Sequence, residues 1–220
     1  LRTFKSRYGD DVLGSMDVAI ANLQDEDWEN NWKQYFHPIP VGNKLLIRPT
    51  WEDEFDPQGR AVLNIEPGLA FGTGTHETTR LCLQTLEKHI EKGTTVLDIG
   101  CGSGILSIAA CLLGAGSALG IDIDALAVKT AIENGELNGL TAPKYEIRLG
   151  DLARDVDGKY PVIAANIVAD AIIMLSPAVK PFVKADGVYI VSGIIEERGD
   201  EVVAGLESCG FVIEQRKTHG

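Results

Sequence analysis

From Thr94 onward the chain alternates short apolar runs with helix-forming stretches, and this alternation constrains the fold more than any other feature. Strands are expected at Thr95–Ile99, Ala118–Ile121, Tyr145–Leu149, Pro161–Ala165, Val188–Val191 and Phe211–Arg216. Between them the pattern predicts helices over Ile105–Leu113, from the Asp124 cap to about Leu137, over Asp170–Val179 and from about Glu196 to Ser208. Asn138-Gly139 stops the second of these. A row of βα units implies an α/β fold with a mostly parallel, doubly wound sheet and helices on both faces. Ligands of such sheets sit at the carboxyl ends of the strands.

The first unit carries the most informative turn. Val96-Leu97-Asp98-Ile99 runs into Gly100-Cys101-Gly102-Ser103-Gly104, and the next helix follows at once. A strand that turns through glycines into a helix offers backbone N–H groups to a nucleotide-like ligand. Dinucleotide binders favour GxGxxG, whereas this turn reads GxGxG, with Asp98 two residues before it. A negative charge beside the ligand suits a cofactor without phosphates and with a positive centre, which is the chemistry of S-adenosylmethionine. An NAD-linked oxidoreductase fits less well, because the glycine spacing differs and no hydride-transfer dyad is evident.

Polar residues end the following strands. Asp122 closes the second, about twenty positions after the first glycine, where a carboxylate can accept from two vicinal ribose hydroxyls. Asp151 follows the third and is placed to meet the adenine amino group, and Asn166 ends the fourth. Asn166-Ile167-Val168-Ala169 keeps an amide that can orient a target N–H. It lacks the aromatic residue that would stack on a planar base, so an aliphatic amine is the expected acceptor.

Ahead of the alternating region, Lys44–Arg48 and Ala61–Ile65 read as two short strands. Glu66-Pro67-Gly68-Leu69-Ala70-Phe71-Gly72-Thr73-Gly74-Thr75-His76-Glu77-Thr78-Thr79 is too rich in Gly and Thr for a strand, and a helix resumes over Arg80–Ile90. A loop of this composition before a helix is expected to bind something. Within it His76 could take a proton, with a structural role the stronger expectation. Further upstream, Trp28, Trp32 and Tyr35 fall on one face of a short helix ended by His37-Pro38, read as a linker helix. Leu1 to about Asn22 reads as the stub of a preceding domain.

Composition narrows the function classes. The chain has 220 residues and a net charge of −12. So acidic a surface disfavours direct nucleic-acid binding, which needs Lys and Arg, and favours a small molecule or a basic protein. No apolar run approaches the roughly eighteen residues of a membrane span. Cys82, Cys101, Cys111 and Cys209 lack CxxC spacing, so neither a metal site nor a disulfide framework is expected, and the thiols suit a cytoplasmic protein.

The hxhDhGxGxG pattern ending at Gly104 resembles the first motif of class I methyltransferases, a Rossmann-like fold. Together with the Glu66–Thr79 loop and Asn166-Ile167-Val168-Ala169, it is similar to the ribosomal protein L11 methyltransferases from about Trp28 to the end. The resemblance implies transfer of methyl groups from S-adenosylmethionine to lysine side chains and the N-terminal amine of protein L11. It also implies a small N-terminal recognition domain on a flexible linker. By motif it carries cofactor contacts to Thr79, Gly100, Asp122 and Asn166, with Phe71 and Gly72 lining the site. Gly102 and Asp151 complete the expected cofactor set, and Asn166 is the expected catalytic residue. Residues 1–40 are then the remnant of the recognition domain with its linker helix. Residues 41–220 are the catalytic domain, with its last strand expected to be cut short. Two other readings remain: an amino methyltransferase acting on nucleic acid or another protein, and a noncatalytic S-adenosylmethionine-binding module.

Overall fold

A computed structural model describes residues 37–66, 76–151 and 156–218. The expected linker helix and the loop residues Phe71 and Gly72 lie outside the described residues. Three short strands come first: β1 (Ile39–Val41), β2 (Leu45–Pro49) and β3 (Ala61–Ile65). They form a separate sheet in which β2 pairs antiparallel with β1 and parallel with β3. Helix α1 (Glu77–His89) leads into the main sheet, built as β4 (Thr95–Ile99), α2 (Ile105–Leu112), β5 (Ser117–Asp122), α3 (Ala125–Leu137) and β6 (Tyr145–Leu149). It continues through β7 (Tyr160–Asn166), α4 (Ala169–Val179), β8 (Val183–Ser192) and α5 (Gly199–Ser208).

The main sheet has the order β6-β5-β4-β7-β8, and every pairing in it is parallel. The order reverses between β4 and β7, and the resulting crevice is where doubly wound sheets hold ligands. Apolar side chains of β4 point to both faces, as expected of a strand covered on either side. Val96 packs with α1 and α2 around Leu83, Leu86, Ile108 and the small sheet, while Leu97 and Ile99 pack toward Val179 of α4. Helix α5 closes over α4 through Val202, Leu206 and Ile172. All of this lies in one compact unit that starts at His37.

Two sequence expectations are corrected. Phe211–Arg216 alternates like a strand but pairs with none, so the sheet has five strands among the described residues. Its Phe211 and Ile213 instead pack near α5. The last helical stretch opens as a 3-10 turn at Glu196–Arg198, and α5 begins only at Gly199. Strand β8 begins five residues before the expected Val188. The other expected elements stand within a few residues, with the Asp124 cap in place: its Oδ1 accepts from Leu126 N–H at 2.9 Å.

Candidate active site

The carboxyl ends of β4, β5, β6 and β7 surround a cavity of about 800 Å³. Gly100, Cys101 and Gly102 form one wall, Asp122, Asp124 and Asp151 part of the rim, and Asn166 and Gly193 the far side. The remaining surface is aliphatic, supplied by Ile99, Ile121, Ile123, Leu126, Ile167, Val168, Met174 and Leu175. Ile123 and Leu126 are large apolar side chains left exposed, which makes them suited to cover the face of a flat ring.

The glycine turn is shaped by hydrogen bonds to its neighbours in the sheet. Gly100 N–H and Cys101 N–H both donate to the Ile121 carbonyl, at 2.9 and 3.1 Å. Asp122 tightens the turn from the side: its Oδ2 accepts from Gly102 N–H at 2.9 Å and its Oδ1 from Asp124 N–H at 3.0 Å. Each carboxylate oxygen still has a lone pair for a ligand hydroxyl. Asp122 therefore has two jobs, one of which the spacing argument does not contain. Asp151 stands on the rim at the end of β6.

Asp98 does not do what its place in the chain suggests. Side chains alternate along β4, so Asp98 shares the face of Val96 and turns toward α2, away from the cavity. It is fully buried, and its Oδ2 accepts from Ser107 N–H at 3.1 Å and from Ser107 Oγ–H at 2.8 Å. Burial pushes its carboxyl up to about 6 against the lowering effect of those two bonds, and the Asp122 charge adds to the rise. Its role is to hold the first turn of α2 against the sheet.

Asn166 stands on the cavity wall at the end of β7. Its Nδ2 donates to Thr79 Oγ1 at 3.1 Å, while its Oδ1 is buried without a hydrogen-bond partner among the described residues. An orphaned buried acceptor on a cavity wall calls for a donor from a ligand. Gly193, a site residue that sequence reasoning missed, keeps that oxygen clear. Its φ is +84°, and a side chain there would put a Cβ 3.1 Å from Asn166 Oδ1 and 2.5 Å from the Ile167 carbonyl. The only available signal was a glycine directly after an apolar strand.

Thr79, expected to touch a cofactor, is fully buried in the first turn of α1 and is absent from the cavity lining; it meets the site through Asn166. His76 caps the same helix, its Nδ1 accepting from Thr78 N–H at 3.3 Å. A second anchor comes from β8, where Ser192 Oγ–H donates to the Thr78 carbonyl at 3.1 Å. Asn134 links the two sides of the region. Its Oδ1 accepts from Glu66 N–H at 3.0 Å and its Nδ2 donates to the Ser103 carbonyl in the glycine turn at 3.0 Å.

A five-stranded parallel sheet of this order, with a GxGxG turn after its central strand and an acid ending the next, is the fold of the class I methyltransferases. A putative S-adenosylmethionine-dependent methyltransferase from Streptococcus mutans shares it at a TM-score of 0.52 and 18% identity, over 64% of this chain and 41% of that one, a likeness of fold alone. The profile of the ribosomal protein L11 methyltransferase (PrmA) family matches residues 5–220, and the chain belongs to that family. It is 46% identical over 205 residues to the ribosomal protein L11 methyltransferase of Caldanaerobacter subterraneus subsp. tengcongensis, covering 93% of this chain and 66% of that protein. A namesake from Clostridium botulinum is 44% identical over 208 residues, with 94% of this chain and 66% of that protein covered. The chain thus spans 66% of the length of these curated relatives. The crystal structure of a ribosomal protein L11 methylase from Lactobacillus delbrueckii subsp. bulgaricus matches with a TM-score of 0.78 at 36% identity, over 84% of this chain and 94% of that one.

Proposed function

We propose that residues 41–220 are the catalytic domain of an S-adenosylmethionine-dependent N-methyltransferase whose acceptors are lysine side chains and the N-terminal amine of ribosomal protein L11. Residues 1–40 would be the end of its recognition domain and the linker, and the cytoplasm its compartment. Among the described residues no helix is long and apolar enough to cross a membrane. The net charge of −12 favours a basic protein as partner over direct nucleic-acid binding.

The residues present fit the cofactor. Asp122 keeps free lone pairs for ribose hydroxyls, Gly100 and Gly102 bring backbone close, Ile123 and Leu126 offer an apolar cover for adenine, and Asp151 stands on the cavity rim. Phe71 and Gly72 belong to the same expected set on motif grounds. When bound, S-adenosylmethionine supplies an electrophilic methyl on a sulfonium. The protein's part is to bring a neutral amine in line with it.

The observation that carries this reading is the Oδ1 of Asn166, buried and unpartnered among the described residues. A free lysine has a pKa of about 10.4, so its ammonium must lose a proton before its nitrogen can attack. The aliphatic wall of Ile167, Val168, Met174 and Leu175 disfavours the charged form. Asn166 Oδ1 can then accept from a remaining N–H and turn the lone pair toward the methyl. Labelled methyl transfer to purified L11 tests the activity, and titration with S-adenosylhomocysteine tests the site. In Asn166→Ala the transfer rate should fall at least about 100-fold while cofactor affinity changes less than about threefold. Equal losses in both would refute the acceptor role. Tight cofactor binding by the intact enzyme with no transfer to L11 would point to a noncatalytic module.

A further inference from the structure

An asparagine at a strand end does not by itself decide which end of its amide faces a ligand. The two ends are nearly identical in shape, and the terminal torsion is broad and roughly two-fold. Rotating Asn166 by half a turn would present an NH₂ to the cavity, useless for receiving an amine N–H. A neighbouring hydroxyl, which can donate or accept, holds the oxygen toward the cavity when it accepts from the amide nitrogen, as it does here.

We infer that Thr79 is a positioning residue: its hydroxyl oxygen holds Asn166 Nδ2 and thereby presents Oδ1 to the acceptor amine. The geometry has three parts. Asn166 Nδ2 donates to Thr79 Oγ1 at 3.1 Å, between residues 87 apart in the chain. Thr79 is fully buried, so no water competes for that oxygen. The backbone that carries it is pinned twice, by Thr79 N–H to the His76 carbonyl at 3.0 Å and by Ser192 Oγ–H to the Thr78 carbonyl at 3.1 Å. Helix α1 is thereby tied to the ends of both β7 and β8, and Thr79 Oγ1 has a fixed place behind Asn166. On the open side Gly193 leaves room at the oxygen. The arrangement orients one amide and leaves its acceptor bare.

This inference rests on the reading that Asn166 receives the amine, and it differs from a direct cofactor contact by Thr79 in what it predicts. Thr79→Val keeps the shape and removes the oxygen; Thr79→Ser keeps the oxygen. In the intact enzyme, Thr79→Val should lower kcat for methyl transfer about 10- to 100-fold, since a buried polar group is left unpaired and the amide is free to turn. Its affinity for S-adenosylhomocysteine by calorimetry should stay within about twofold, and Thr79→Ser should restore most of kcat. A parallel loss of cofactor affinity, or no loss of kcat, overturns the inference.

A second measurement needs no turnover. In ¹⁵N-labelled protein the Asn166 side-chain NH₂ pair, assigned by its disappearance in Asn166→Asp, should be protected from solvent exchange in the parent and in Thr79→Ser. Protection should be lost in Thr79→Val. Unchanged protection there overturns the inference whatever the activity. An unmutated enzyme that methylates no amine refutes the proposed function, and the exchange result still decides how the amide is held.

Discussion

Replacing Gly104 by Ala should be far more damaging than the methyl group suggests. Gly104 ends the glycine turn at φ +78°, a left-handed conformation that costs an L-residue about 1–2 kcal/mol. Its Cβ would overlap the Tyr145 hydroxyl and lie 3.0 Å from Ala131 Cβ and 3.2 Å from Ala131 Cα. The Ala131 atoms belong to α3 and cannot give way cheaply, so Tyr145 must move. Its hydroxyl donates to the Ala131 carbonyl at 2.7 Å in a buried position, and breaking that bond costs about 1–3 kcal/mol. Residual crowding adds about 1 kcal/mol, for a total of about 3–6 kcal/mol. Gly139→Ala is the control: its φ is +67° with open space around the new Cβ, so it should cost only the conformational 1–2 kcal/mol, roughly. Urea unfolding followed by circular dichroism measures both, from shifted midpoints at unchanged slope. Tyr145→Phe removes the overlapping oxygen, so the double variant should be about 1–2 kcal/mol better than the sum of the single ones. A Gly104→Ala cost no larger than that of Gly139→Ala, or strict additivity with Tyr145→Phe, would refute the steric account.

Asp98 should leave a mark on the pH dependence of stability. Its folded carboxyl, at about 6, lies above the roughly 3.9 of a free aspartate, so the unfolded chain releases this proton first. Between about pH 4 and pH 6 the folded state holds more protons, and stability falls as the pH rises through that window. Asp98→Asn should abolish this component, gaining on the parent by up to about 3 kcal/mol from pH 4 to pH 7 in urea unfolding; parallel curves would rule it out. The thiols offer a simpler check. Burial pushes Cys82 up to about 12, Cys111 to about 11 and Cys101 higher still, while Cys209 is half-buried near the surface. A thiol reagent at pH 8 should titrate one cysteine in the native protein and four in denaturant, and rapid reaction of a second native thiol would contradict the burial.

Much of the fold is legible in the chain because its signals are local. The β4 glycine turn, the Asp124 cap and the apolar runs at Tyr145–Leu149 and Pro161–Ala165 need no distant partner to be recognised. Two short or polar elements escape such reading. Strand β1 is three residues long with a central proline, and the first half of β8, Val183–Gly187, is polar and exposed enough to pass for a loop. Phe211–Arg216 fails in the opposite way. Its alternation has the right period, but a strand exists only where a neighbour accepts its hydrogen bonds, and none does among the described residues.

The candidate site divides along the same line. Sequence alone determined that Gly100, Gly102, Asp122, Asp151 and Asn166 would gather at one edge, because each lies at the end of a parallel strand and parallel strands end together. It also determined that the glycine spacing favours a nucleoside without a pyrophosphate. Only the tertiary structure decided where Asp98 turns its charge, since that depends on which face of β4 meets Ser107. Only packing decided what the Asn166 amide meets, because the hydroxyl that receives its Nδ2 sits 87 residues away on α1. Backbone periodicity is written into neighbouring residues; the orientation of a polar side chain is set by whatever the fold brings against it.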